Sequence, residues 1–156
     1  MKHQRGVVLL MCLVLSLLLG VLAASALRDA LLETRLSGHL LRSVQAFEQA
    51  EAALLEAATQ LPERLPECQG CLPPARPHAL DGPWQRNASG YFLVQNLGIT
   101  ARAAHVPEGE SVRLFRITVV SEHLAARQVL EAVYAVATNG AGEPRRVLWR
   151  QRFEEG

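Results

Sequence analysis

Aromatic residues make up only 5% of this 156-residue chain, and its charges nearly cancel, 16 basic against 15 acidic. No basic run appears, so the field that a nucleic-acid binder needs against phosphate is missing, and no nucleic-acid partner is expected. Low hydrophobicity with high net charge, the mark of full disorder, is absent as well, since 49% of the residues are hydrophobic. Catalytic patterns are missing too: there is no H-E-x-x-H, G-x-S-x-G, P-loop or G-x-G-x-x-G. Residues 139–143 offer too few oxygen ligands for a calcium loop. The expectation is a non-enzymatic protein without cofactor or metal, of a length that suits one domain.

What the chain does have is concentrated at its front. Residues 1–6 read MKHQRG, and residues 7–27 run 21 positions without a charge. At about 1.5 Å per residue that helix measures roughly 30 Å, the thickness of a bilayer's hydrocarbon core. Thirteen of the 21 are Leu or Val, each favouring insertion by roughly 0.3–0.6 kcal/mol. The flanking Lys2 and Arg5 place the N-terminus on the cytoplasmic side of an inner membrane and the remainder outside it, in the periplasm. Two readings compete. A secretory signal peptide would be cut after Ala26, at the small-residue site Ala24-Ser25-Ala26, releasing a periplasmic module. The other reading is a short basic leader ending at Gly6, removed before Val7, with the apolar stretch retained.

The following residues separate them, because a signal peptide has no reason to continue in register into a long helix. Residues 28–61 contain no proline and only one glycine, Gly38. Leu32, Leu36, Leu40, Val44, Phe47, Leu54, Ala58 and Leu61 recur at steps of three, four or seven, lining one helical face. Alanines add helix propensity, and Pro62 ends the run by pushing the residue before it out of the α region. Residues 7–61 are thus expected to form one helix of about 80 Å, apolar all round at first and amphipathic afterwards.

Residues 62–90 hold six of the eight prolines and read as a loop. Within it Cys68 and Cys71 form C-x-x-C. A redox pair would sit at a helix start in a thioredoxin-like unit, and half a zinc site would need closely spaced ligands, whereas the five histidines are scattered. A local disulfide fits an oxidising compartment, and it would shape the loop more than stabilise the domain. Cys12, in the apolar segment, reads as a small hydrophobe. Trp84 reads as an anchor against the helix. Residues 91–156 switch to period-two patterns, with strands expected at 91–96, 111–121, 127–138 and 147–153. One face of such a sheet must be covered, and helix 28–61 is the available cover. The fold class is therefore α+β: a long N-terminal helix on a C-terminal antiparallel sheet of about four strands.

The Gly6/Val7 junction, the apolar run, Leu36-Ser37-Gly38-His39-Leu40 and Gln45-Ala46-Phe47-Glu48-Gln49-Ala50-Glu51-Ala52-Ala53-Leu54 resemble PilX-type minor pilins of bacterial type IV pili. The likeness is firm over residues 5–55 and looser over 113–137, and it lapses between them. It implies a pilin-like fold, cleavage after Gly6 by a prepilin peptidase, and N-methylation of Val7. It further implies packing of the exposed helix with other minor pilins and the major pilin, in a complex that primes assembly at the pilus tip. Pilins usually carry Glu at the fifth mature position, to pair with a neighbour's N-terminal amine; this chain has Met11. An uncompensated charge in an apolar bundle costs several kcal/mol, so Met11 fits a tip or priming subunit better than a shaft subunit. The K-type pseudopilins of type II secretion share helix and leader, but they carry a large extra domain for which this length has no room.

Overall fold

A computed structural model describes residues 4–62, 65–122, 126–139 and 142–153, residues 4–6 by their backbone alone. The chain divides into two compact units, residues 1–41 and 42–156, and a single helix, α1 (Gln4–Thr59), contributes to both. Leucine and alanine dominate α1, and no proline interrupts it. It stops just ahead of Pro62. The Thr59 hydroxyl donates to the Glu56 carbonyl at 2.8 Å and the Gln60 N–H to the Ala57 carbonyl at 3.3 Å. These bonds satisfy two carbonyls that the helix end would otherwise leave unpaired.

The second unit is built on an antiparallel sheet in which each strand lies beside its neighbour in sequence. Its strands are β1 (Gln85–Arg86), β2 (Gly90–Thr100), β3 (Val112–Ser121), β4 (Val129–Ala137) and β5 (Arg145–Arg152). The sheet therefore has five strands where four were expected. The extra one, β1, is two residues long inside the proline-rich stretch, too short for any alternation to reveal. β2 also runs beyond the expected residue 96, because a bulge between Asn96 and Gly98 lets the ladder continue to Thr100. Gly98 has φ +94°, a left-handed conformation that favours glycine, so the bulge is built on a residue that adopts it without strain.

Alternation gives the sheet two faces. Phe92, Ile117, Val119, Leu130, Ala132 and Tyr134 form one core with Ala50, Ala53, Leu54, Ala57 and Ala58 of α1. Phe47 packs at its margin, edge-on to Trp149 with ring centroids 6.2 Å apart. The helical stripe expected to cover the sheet does so only in its last part: Leu32, Leu36, Leu40 and Val44 are exposed. The buried line is instead mostly alanine, at 46, 50, 53, 57 and 58, with Leu54 among them. Small side chains let the helix lie close on the sheet, and the covering segment need be no longer than the strands beneath it.

This difference is measurable in urea unfolding of the detergent-solubilised chain. Leu54→Ala, at a fully buried site, should cost about 2–5 kcal/mol. Leu36→Ala, at a side chain 74% exposed, should change stability by less than about 0.5 kcal/mol. Equal losses would contradict the packing described.

Candidate functional site

Between Val7 and Leu27 every large apolar side chain of α1 is at least half exposed. The few polar groups in that stretch are turned back onto the helix. Ser16 Oγ donates to the Cys12 carbonyl at 2.8 Å, and Ser25 Oγ lies within 2.9 Å of the Leu22 carbonyl and 3.2 Å of that of Val21. Hydroxyls satisfied this way leave no bare donor for an apolar surrounding to penalise. The helix is long and apolar enough to cross a membrane. Gly6 and Val7, the expected processing site, lie in its backbone, and Val7 and Met11 are exposed on it. Of the expected leader, residues 1–3 lie outside the described residues.

The opposite face of the sheet carries a second layer made by the proline-rich segment. Cys68 and Cys71 are bonded, with Cα atoms 5.6 Å apart. The clip sits on the β2 bulge: the Cys68 N–H donates to the Asn96 carbonyl at 2.9 Å and Asn96 Nδ2 to the Leu65 carbonyl at 2.7 Å. From there the segment crosses the strands. Arg116 of β3 donates to the Cys71 carbonyl at 3.0 Å, and Arg152 of β5 donates to the Pro74 carbonyl at 2.7 Å. Arg127, just ahead of β4, reaches the His78 carbonyl at 2.6 Å. A short 3-10 turn (Pro77–Ala79) then packs on β3. Val120 and Val129 are fully buried on this side. The strap returns to the helix through Asn87, whose Nδ2 donates to the Ala53 carbonyl at 3.0 Å. Trp84, expected to be that anchor, is half-buried and donates its indole N–H to the Asp81 carbonyl at 3.1 Å.

Beneath the strap lies a buried carboxylate. Glu131, in the middle of β4, is 2% exposed. Its Oε1 is 2.8 Å from Arg150 Nη2 and 3.6 Å from Arg116 Nε, and its Oε2 is 3.9 Å from Arg152. Strand register explains the gathering: Glu131 pairs with Thr118 on β3 and with Arg150 on β5. Glu131 Oε2 and Arg116 Nε have no direct hydrogen bond, so proximity of charge holds this cluster more than hydrogen-bond geometry does. Two of its arginines, Arg116 and Arg152, also grip the strap. On the helix side, burial pushes the Tyr134 phenol above its ordinary value, with the Arg146 guanidinium opposing.

The sequence reading passed over Glu131. The signal in the sequence was an acid inside an otherwise apolar strand; its register partners are Thr118 on β3 and Arg150 on β5. Of the expected positions, Val7 belongs to the first unit, and Cys68 and Cys71 belong to the second. Among the described residues, no three of His, Cys, Asp and Glu come close enough to hold a metal ion. Comparison with protein-family models, with curated proteins and with solved structures finds no match to this chain.

Removing the buried carboxylate should release both its arginines and the strap. Glu131→Gln should lower the urea midpoint with unchanged slope, a loss of about 3 kcal/mol. Arg76→Ala, at an ion pair whose two side chains are 80% and 62% exposed, should cost at most about 0.5 kcal/mol. A Glu131→Gln protein as stable as the parent would remove the cluster from any structural role.

Proposed function

We propose that this chain is a minor pilin of the PilX type, a structural subunit that helps prime a type IV pilus from the inner membrane and stays near its tip. One observation supports this reading above the others. A single helix runs unbroken from Gln4 to Thr59, passing through Ala24-Ser25-Ala26, and its last turns are the buried spine of an antiparallel sheet. Cleavage after Ala26 would discard residues 1–26 and leave a truncated helix with the exposed apolar stripe of Leu31, Leu32, Leu36 and Leu40. Retention of the helix gives those residues a use. An apolar rod first resides in lipid and then exchanges lipid for the apolar rods of neighbouring subunits, with little change in the environment of its side chains.

Met11 fits the same role. A subunit joining the base of a growing filament meets the N-terminal amine of the neighbour above it, and a carboxylate at the joining subunit's fifth mature position neutralises that amine, which would otherwise be an uncompensated charge in an apolar bundle. Met11 offers no carboxylate, and residues 7–27 contain no other. A subunit that starts the filament has nothing above it to neutralise. The exported sheet, with its strap, then remains available to other minor pilins.

The mature N-terminus, read by mass spectrometry from cells that assemble pili, tests the proposal. The expected species begins at Val7 and carries one methyl group on its amine; a chain beginning at Leu27 would overturn it. Gly6→Leu should block removal of the leader and keep the protein in the membrane. Processing of that variant as efficient as the parent's would refute the cleavage site.

A further inference from the structure

β5 is the last strand of the sheet, paired with β4 alone among the described strands. Its eight residues contain no proline, and beyond the bulge opposite Val133 and Tyr134 its register is regular through residues 148–152. An edge of this kind presents unpaired N–H and C=O groups to any strand that can approach. Which strand can approach is set by what flanks it. On the strap side the edge carries Arg145, Leu148, Arg150 and Arg152; on the helix side it carries Arg146 and Trp149. Arg145 is exposed, Arg146 and Arg150 are 43% and 51% exposed, and Trp149 keeps 40% of its surface in solvent while packing edge-on against Phe47.

The nearby acids do not balance these cations. Arg146 is 3.4 Å from Glu51, while Arg150 and Arg152 share Glu131 with Arg116. Glu110 and Glu143 line one pocket with Arg145, so among the described residues five guanidiniums lie near four carboxylates along this edge, and β5 itself contains no acid. A second copy adding its own β5 antiparallel, in full overlap, would stack arginine on arginine at both ends. Like charges directly opposite are destabilising in a strand pair, and opposite charges stabilise it. Arginine and tryptophan are also the residue types that most often carry binding energy at interfaces.

We infer that the free edge of β5 is a docking site for an extended acidic segment of a different protein chain, which adds to the sheet as a sixth strand. Backbone hydrogen bonds to β5 supply the alignment, acids on alternate residues meet Arg145 and Arg150, and an apolar residue on the other face covers Trp149. Strand addition of this kind takes affinity from main-chain bonds and specificity from alternate side chains. The inference concerns the sheet alone and does not rest on how the N-terminus is processed.

The test titrates the full chain in detergent micelles with blocked ten-residue peptides of alternating Glu and Val. Binding should slow amide exchange over residues 148–152. It should weaken about tenfold for the alternating Lys-Val peptide and by a similar factor for Arg145→Glu. It should be lost when alternate amides of the acidic peptide are N-methylated on its pairing edge. Equal binding of the N-methylated peptide would reduce the contact to charge alone and overturn strand addition. Failure of the acidic peptide to bind, self-association of the chain with β5 amides already protected, or tighter binding of single-stranded DNA would each overturn the proposal as well. Because the readouts lie in β5, this result and the identity of the mature N-terminus fail independently.

Discussion

A carboxylate buried in the middle of a sheet is costly, because taking one ion out of water costs several kcal/mol. Glu131 meets that cost with Arg116, Arg150 and Arg152. Much of the second unit depends on this gathering. It joins β3, β4 and β5 through side chains as well as through the ladder, and it orients two of its arginines toward the carbonyls of the crossing segment. Without that segment the valines on the same face would lie open to water, and the sheet would have one covered face instead of two. The unit is consequently three layers deep, with helix, sheet and strap, although its long helix lies on one side.

The two outer layers are held by different physics. On the helix side, alanines permit close approach, and the contact is apolar burial around Leu54, Ile117 and Leu130. On the strap side, guanidinium and amide donors meet backbone carbonyls, so the layer is directional and polar. A proline-rich segment suits the second kind of contact. Proline gives up its N–H but keeps its carbonyl, and main-chain carbonyls, those of Cys71, Pro74 and His78, are the groups the arginines use.

Legibility of these features in the sequence followed their range. The apolar segment of residues 7–27 and the helical continuation to Thr59 were readable because helical period and proline exclusion are local signals. β3, β4 and β5 were readable within a few residues for the same reason. β1 was not, since two residues cannot display a period, and the extension of β2 was hidden because a bulge breaks alternation at Gly98. The covering face of the helix was misjudged: leucines at helical spacing mark an apolar stripe, but not which surroundings the stripe meets. Leu32, Leu36 and Leu40 face outward, and the alanines do the packing. Glu131 and its arginines lie on three strands whose register no local pattern reports. The basic character of β5, four arginines in eight consecutive residues, is by contrast a local feature of the sequence, and only its place at the edge of the sheet is not.

The attachment of the strap is indifferent to most of its own sequence. At Leu65, Cys71, Leu72, Pro74 and His78 the second unit grips main-chain carbonyls, which every amino acid possesses, while the gripping side chains are fixed in the strands or, for Arg127, just ahead of one. Side chains such as Leu72, 81% exposed, play no part in the grip. The segment between the cysteine clip and Asn87 can therefore take on new side chains, and present a new surface to whatever it meets, with the frame beneath it unchanged.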